Sequence, residues 1–126
     1  MILVKEMMNR SIITVTTEVG VKKICQLLTK HKITGTPVVN KKKELLGFVS
    51  ERDIIAAAGK QNFYKKTAKH VMSKNLTTIE ESASLDEASL IFSTHPFRHL
   101  PVLKNNKLVG IITRNDIVSQ MLGNYY

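Results

Sequence analysis

The feature that most limits how this chain can fold is an internal repeat. Residues recur at an offset of 64, and after a one-residue difference in the turn at 41–44 they recur at an offset of 63. Identities that keep one order with a single gap indicate a duplication. The identical pairs are Lys5/Lys69, Met8/Met72, Thr14/Thr78, His31/His95, Pro37/Pro101, Val38/Val102, Leu45/Leu108, Gly47/Gly110, Asp53/Asp116 and Ile54/Ile117.

The duplication predicts how the chain is divided. We expect a first repeat at residues 1–60, a linker at 61–67 and a second repeat at 68–126. A chain of 126 residues divided in this way has no room for a catalytic domain beside a separate regulatory one. The repeats therefore account for almost the whole sequence.

Each repeat predicts the element order β-α-β-β-α. A β-branched stretch at 12–15 and at 76–79 predicts a first strand, and a proline-led pair of apolar runs predicts the next two strands. The second helix should begin after Ser50 or Thr113 and end near Gly59 or Gly123. Helical spacing of apolar residues predicts the first helix, through Val21, Ile24, Cys25 and Leu28 in one repeat and Leu85, Ala88, Ser89 and Phe92 in the other.

The fold class that follows is mixed α/β. A three-stranded sheet with two helices cannot bury all of its apolar surface alone. We therefore expect the two repeats to pack together around one core. The apolar fraction of 43% is enough to form such a core.

Composition limits the location and the kinds of site. No apolar run approaches the length of about 20 residues that a membrane helix needs, and the N-terminus has no signal-peptide pattern. We therefore expect a cytoplasmic protein that does not enter a membrane. The single Cys25 excludes an internal disulfide and a cysteine-rich zinc site. His31 and His95 stand at equivalent helix ends, which favours helix termination over metal binding.

The most informative motif stands at the start of the second helix of each repeat. Residues 47–53 and 110–116 share the pattern Gly-apolar-apolar-(Ser/Thr)-x-x-Asp. One interpretation is a capping box, in which hydroxyl and carboxylate satisfy free backbone N–H groups. The other is a ligand site, because a helix N-terminus with a hydroxyl binds phosphate and a nearby carboxylate can accept both hydroxyls of a ribose. The motif alone leaves both interpretations open.

The duplicated unit, with Pro-Val before Gly-x-x-(Ser/Thr)-x-x-Asp, resembles a cystathionine β-synthase (CBS) domain. Two in tandem resemble a CBS pair, or Bateman module, over residues 4–122. The resemblance implies two pseudo-twofold-related β-α-β-β-α repeats packed as one module. It also implies two clefts that bind adenosine-containing ligands such as AMP, ADP, ATP or S-adenosylmethionine.

The resemblance also implies which residues would line the two clefts. In the cleft of the second repeat, Asp116 would bind the ribose and Thr113 the phosphate, with Arg98 and His99 facing the phosphates. The other residues implied for that cleft are Ile111, Arg114, Ile13, Ile33 and Thr34. In the cleft of the first repeat, the implied residues are Ser50, Asp53, Phe48, Gly35, Thr77 and Phe97.

The two clefts are predicted to be unequal. Thr34 and Gly35 stand in the first repeat where the second has Arg98 and His99. An arginine can form two charge-assisted hydrogen bonds to a phosphate, and a threonine offers one neutral donor. We therefore expect nucleotides to prefer the cleft of Thr113 and Asp116.

Three classes of function can be compared. The first is a stand-alone regulatory or energy-sensing module that binds an adenosine-containing ligand and acts on a regulated protein that is still unidentified. The second is a nucleic-acid-binding or protein-interaction module with degenerate clefts, suggested by the net charge of +9 but lacking a recognised nucleic-acid motif. The third is an enzyme, against which stands the lack of a nucleophile–base pair, a metal-ligand cluster or a Walker loop. The first is our expectation, without a catalytic cofactor.

The second helix of each repeat also predicts an assembly. Residues 54–58 and the apolar positions of 117–122 would leave an apolar stripe exposed. Resemblance to the family implies a disc-like homodimer formed by helix packing. A homodimer is therefore our expectation.

Overall fold

The structure is a computed structural model and describes residues 1–123. Two compact units make up the fold, and neither coincides with a sequence repeat. We call Ile13–Leu76 the continuous unit, and Met1–Ile12 together with the chain from Thr77 onward the split unit. The helices are α1 (Val4–Met7), α2 (Val21–His31), α3 (Glu51–Ala58), α4 (Ala68–Val71), α5 (Leu85–Thr94) and α6 (Arg114–Gly123), and the strands are β1 (Gly35–Val39), β2 (Leu45–Ser50), β3 (Ile79–Glu80), β4 (His99–Lys104) and β5 (Lys107–Thr113).

The units differ from the repeats because the segment that begins each repeat packs on the sheet of the other repeat. The segment of α1 belongs to the split unit, and the segment of α4 belongs to the continuous unit. A short 3₁₀ helix at Phe63–Lys65 precedes α4. The boundaries at 60 and 68 therefore concern the sequence repeats and stay a prediction, and residues 124–126 lie outside the described part of the chain.

The split unit contains a three-stranded sheet in the order β3-β4-β5. β3 is parallel to β4, and β4 is antiparallel to β5 with His99 opposite Thr113. Leu100 and Ile112 from this sheet are fully buried against Val4 of α1. Truncating a buried leucine or isoleucine to alanine typically costs about 2–5 kcal/mol. This packing therefore fixes the end of β5 from which α6 begins.

The continuous unit contains a two-stranded antiparallel sheet of β1 and β2, with Gly35 opposite Ser50. The strand predicted at 12–15 is wrong, because only Val15 pairs, in a single parallel bridge to Val38. The buried Thr36 hydroxyl donates to the Ile13 carbonyl at 2.8 Å and takes the place of a ladder hydrogen bond. In the split unit the predicted strand at 76–79 is displaced to β3.

The predicted helices are confirmed. The apolar face predicted for α2 is buried at Val21, Ile24 and Leu28. Ser84 caps α5 by accepting a hydrogen bond from the Glu87 N–H at 3.2 Å. His31 is the last residue of α2 and His95 is the C-cap of α5, so both end a helix as expected.

The motif glycine of each repeat makes room for a methionine. A Cβ atom on Gly110 would lie 2.6 Å from Sδ of Met8, and one on Gly47 would lie 2.5 Å from Sδ of Met72. Both distances are shorter than a van der Waals contact. The glycines therefore let the segments after α1 and α4 approach strands β5 and β2 closely.

The outer faces of several helices are apolar. Ile55 on α3 is 74% exposed, and Val118 and Leu122 on α6 are 65% and 60% exposed. These are the positions at which the sequence predicted an exposed stripe. No helix in residues 1–123 combines the length and the apolar character needed to cross a membrane.

Candidate functional site

The candidate site of the split unit lies where β5 passes into α6. The Thr113 N–H donates to Oδ2 of Asp116 at 2.8 Å, and the Asp116 N–H donates to the Thr113 hydroxyl oxygen at 3.2 Å. This is a capping box, and each of its hydrogen bonds satisfies a backbone group that the helix leaves free. Oδ1 of Asp116 accepts no hydrogen bond from the described residues, and the Thr113 hydroxyl donates none to them.

The equivalent site of the continuous unit lies where β2 passes into α3. The Ser50 N–H donates to Oδ2 of Asp53 at 2.9 Å, and the Asp53 N–H donates to the Ser50 hydroxyl oxygen at 3.1 Å. Two further donors distinguish this site. The Ser50 hydroxyl donates to Oδ2 at 3.0 Å, and the Ser73 hydroxyl donates to Oδ1 at 2.9 Å. Both oxygens of Asp53 are therefore engaged by the protein.

The residues predicted to differ lie at the start of the strand beside each site, where His99 and Gly35 are the first residues of β4 and β1, and Arg98 and Thr34 directly precede them. The backbone N–H of the first helical residue donates to the Arg98 carbonyl in the split unit and to the Thr34 carbonyl in the continuous unit. The Arg98 side chain is exposed and makes no hydrogen bond or ion pair to any other residue in 1–123. His99 lies directly across the sheet from Thr113. Among the described residues, Arg98 therefore carries a positive charge that no side-chain partner neutralises, and it lies next to the start of α6.

Gly35 occupies the position of His99 because Phe48 fills the adjacent space. A Cβ atom on Gly35 would lie 2.4 Å from Cε1 of Phe48. The residue equivalent to Phe48 is the smaller Ile111, which leaves room for a side chain at position 99. The two repeats thus fill the same region with different side chains.

Arg114 holds the end of α5. Its Nε donates to the Phe97 carbonyl at 2.9 Å, and its Nη2 donates to the Phe92 carbonyl at 2.9 Å and to the His95 carbonyl. Its guanidinium carbon also lies 5.8 Å from the centre of the Phe92 ring. The hydrogen bond to Phe92 satisfies a carbonyl that the end of α5 leaves free, and the other two fix the segment that follows the helix. The side chain predicted as a ligand contact is therefore committed to fixing α5 against the start of α6.

The remaining predicted residues are distributed between the two units. Phe97 stacks on His95 with ring centres 5.1 Å apart, and Ile111 is buried within β5. Ile33 packs against the core of the continuous unit. The split unit contains Thr77, Phe97, Ile111 and Arg114 with its motif, and the continuous unit contains Ile13, Ile33, Thr34, Gly35 and Phe48 with its own.

Sequence reasoning missed Ser73 and Asn9. Ser73 pairs with Phe48, and Asn9 pairs in the same way with Ile111, each through two backbone hydrogen bonds of 2.9 and 3.0 Å. The repeat aligns the two residues, since Asn9 directly follows Met8 and Ser73 directly follows Met72, which are an identical pair of the repeat. Their contact with the motif could not be read from the sequence, because Ser73 lies 20 residues beyond Asp53.

The arrangement is suited to binding. In the split unit, Oδ1 of Asp116 and the Thr113 hydroxyl lie together at the N-terminus of α6, and the described residues leave both available. Oδ1 can accept hydrogen bonds from sugar hydroxyls, and the Thr113 hydroxyl and the helix N-terminus can donate to a phosphate. Within residues 1–123 no group of three or more His, Cys, Asp or Glu side chains is placed to hold a metal ion.

Comparison with protein families identifies the unit that the sequence repeats. A family model described as the CBS domain matches residues 4–60 and 68–123. The chain belongs to the CBS-domain family. Its mixed α/β fold consists of two CBS repeats, which confirms the fold class predicted from the sequence.

Solved CBS structures resemble this chain along its length. A crystal structure of CBSX2, a protein of Arabidopsis thaliana, in complex with AMP has a TM-score of 0.93 and 27% identity, and the match covers 100% of both chains. The CBS domain pair of protein MJ0100, in complex with 5′-methylthioadenosine and S-adenosyl-L-methionine, has a TM-score of 0.85 and 28% identity, covering 98% of each chain.

A similar segment also occurs within an enzyme. Inosine-5′-monophosphate dehydrogenase of Aquifex aeolicus is 36% identical over 110 residues, a match that covers 86% of this chain. The chain spans only 22% of the length of that enzyme. The similarity therefore concerns a part of the dehydrogenase.

Proposed function

We propose that this CBS pair is a regulatory sensor that binds an adenosine-containing ligand at Thr113 and Asp116 and catalyses no reaction. AMP, ADP, ATP and S-adenosylmethionine are the candidates. The observation that carries the proposal is the open Oδ1 of Asp116 beside the free Thr113 hydroxyl. Solved CBS pairs with AMP or with S-adenosyl-L-methionine support this ligand class.

The ribose is assigned to Asp116. Its carboxylate is half-buried, and Oδ2 is fixed by the Thr113 N–H, so the direction of Oδ1 is set before a ligand arrives. Vicinal hydroxyls are good donors to such a carboxylate, and a preorganised acceptor loses little entropy on binding.

The phosphate is assigned to the start of α6. The Thr113 hydroxyl and the first-turn amides are neutral donors, and the helix dipole favours an anion at this end. Arg98 adds the positive charge. Arg114 is left out of this assignment because its guanidinium already donates to backbone carbonyls.

We propose no catalytic role for the two motif carboxylates. Asp53 and Asp116 accept hydrogen bonds from hydroxyl groups and backbone amides. Neither forms the nucleophile–base pair that acid–base or covalent catalysis requires. The ligand would then act by changing the affinity for a regulated protein in the cytoplasm.

A calorimetric titration with AMP, ATP and S-adenosylmethionine tests the proposal. We expect saturable binding of at least one of these compounds with a stoichiometry of one per chain. GMP is the matched control, and it should bind more weakly because its base has a different pattern of donors and acceptors. If none of the adenosine compounds binds, and the chain instead binds RNA or DNA at physiological salt, the nucleic-acid alternative replaces this proposal.

We also propose that the protein forms a homodimer through α3 and α6. The exposed Ile55, Val118 and Leu122 support an apolar interface on these helices. Since one chain is 14.2 kDa, light scattering at micromolar protein should give twice that mass. Val118→Lys should shift the mass towards the monomer, and a wild-type mass near 14.2 kDa would refute the dimer.

A further inference from the structure

The two motif carboxylates are equivalent in the repeat but differ in how many protein donors they hold. From the described residues, Asp53 accepts side-chain hydrogen bonds from the Ser50 N–H, the Ser50 hydroxyl and the Ser73 hydroxyl. Asp116 accepts one, from the Thr113 N–H. Oδ1 of Asp53 therefore accepts a hydrogen bond from Ser73, whereas Oδ1 of Asp116 accepts none from the described residues.

The difference at Oδ1 comes from one pair of equivalent positions. Ser73 and Asn9 have the same backbone pairing to the motif strand of their own unit. The Ser73 hydroxyl donates to Asp53, whereas the Asn9 side chain accepts a hydrogen bond from the Ser11 N–H at 3.0 Å. Asn9 thus accepts a hydrogen bond from Ser11 and donates none to Asp116.

We propose that Ser73 is a specificity-determining residue that occupies Asp53 in place of a ribose hydroxyl and so restricts ligand binding to the site of Asp116. This inference rests on the proposed function, since it explains why one of two motif sites would stay empty. Ser73 acts as an internal ligand that is always present at the carboxylate.

The occupied carboxylate weakens ribose binding because a ligand must first displace Ser73. The displaced bond is charge-assisted, and its donor is held in place by the backbone pairing of Ser73 with Phe48. A hydrogen bond to a charged group contributes enough to change an affinity by about tenfold or more. The Ser50 hydroxyl is also engaged, so this site offers fewer free donors to a phosphate.

The test measures AMP binding at Asp53 after the preferred site has been removed. In an Asp116→Ala background, we expect Ser73→Ala to raise the affinity for AMP by about tenfold, which corresponds to about 1.4 kcal/mol. Ser82→Ala in the same background is the matched control, because Ser82 is exposed and makes no side-chain hydrogen bond to the described residues. Isothermal titration calorimetry gives both affinities.

The reciprocal change tests the same idea at the other site. Asn9→Ser places a hydroxyl at the position equivalent to Ser73, and we expect it to lower the AMP affinity of the otherwise wild-type chain by about tenfold. Thermal unfolding of each variant checks that the fold is retained.

The outcomes separate this inference from the proposed function. If wild-type protein binds AMP and Asp116→Ala removes that binding, but Ser73→Ala and Asn9→Ser change neither affinity, the role of Ser73 is overturned and the proposed function stands. If wild-type protein binds neither AMP nor S-adenosylmethionine, both are overturned. A gain with Ser73→Ala and a loss with Asn9→Ser support the assignment.

Discussion

Replacing Asp116 with alanine is expected to lower the affinity for AMP by about 100-fold. The substitution removes the acceptor for two ribose hydroxyls, and hydrogen bonds to a charged group contribute about 1.5–3 kcal/mol each. It also removes half of the capping box, at a cost of about 1 kcal/mol of stability. Calorimetry measures the first effect and thermal unfolding measures the second.

Asp53→Ala is the matched control for that prediction. It removes the equivalent capping carboxylate and also the acceptor of the Ser50 and Ser73 hydroxyls, so a loss of stability at least as large is expected. Because Asp53 is already engaged by Ser50 and Ser73, the affinity for AMP should stay within about twofold of wild type. An equal loss of affinity in both variants would contradict the assignment, since it would show that the loss follows from the fold rather than from the ribose contact.

The second large effect is expected at Arg98. Arg98→Met should lower the affinity for AMP by about tenfold while leaving the affinity for adenosine unchanged, because adenosine has no phosphate for the guanidinium to bind. The difference between the two ligands should shrink as the salt concentration rises, since Arg98 is exposed and its charge is screened. Calorimetry at low and at physiological salt measures both trends.

Arg52→Met is the control for Arg98. Arg52 is an exposed arginine in the first turn of α3, and its loss lowers the net charge by the same amount. It should leave both affinities unchanged. If Arg98→Met weakens adenosine and AMP equally, Arg98 acts through the fold and the phosphate assignment is wrong.

Much of the fold could be predicted because the controlling patterns are local. The apolar spacing of α2 needs only neighbouring residues, and the capping motif marks the start of α3 and α6. The strand at 12–15 was wrong for a non-local reason. Its β-branched composition indicates only a propensity for extended backbone, whereas strand formation also requires hydrogen bonds to a neighbouring strand. At Ile13 the carbonyl accepts its hydrogen bond from the Thr36 hydroxyl instead of from a strand N–H.

The candidate site could be predicted only in part. The repeat located both motifs, and the contrast between Arg98 and Thr34 predicted that the two sites differ. The stronger contrast lies in Ser73, which reaches Asp53 through the packing of the segment after α4 on β2. No pattern along the chain links Ser73 to Asp53. The commitment of Arg114 to the end of α5 also depends on tertiary contacts.

A crystal structure of the protein grown with AMP tests the central claim most directly. We expect electron density for one AMP per chain, with the ribose hydroxyls within hydrogen-bond distance of Oδ1 of Asp116 and the phosphate at Thr113 and Arg98. The Ser73 hydroxyl should remain on Asp53. Density for AMP on Asp53 alone, or a ligand bound without contact to Asp116, would contradict the account.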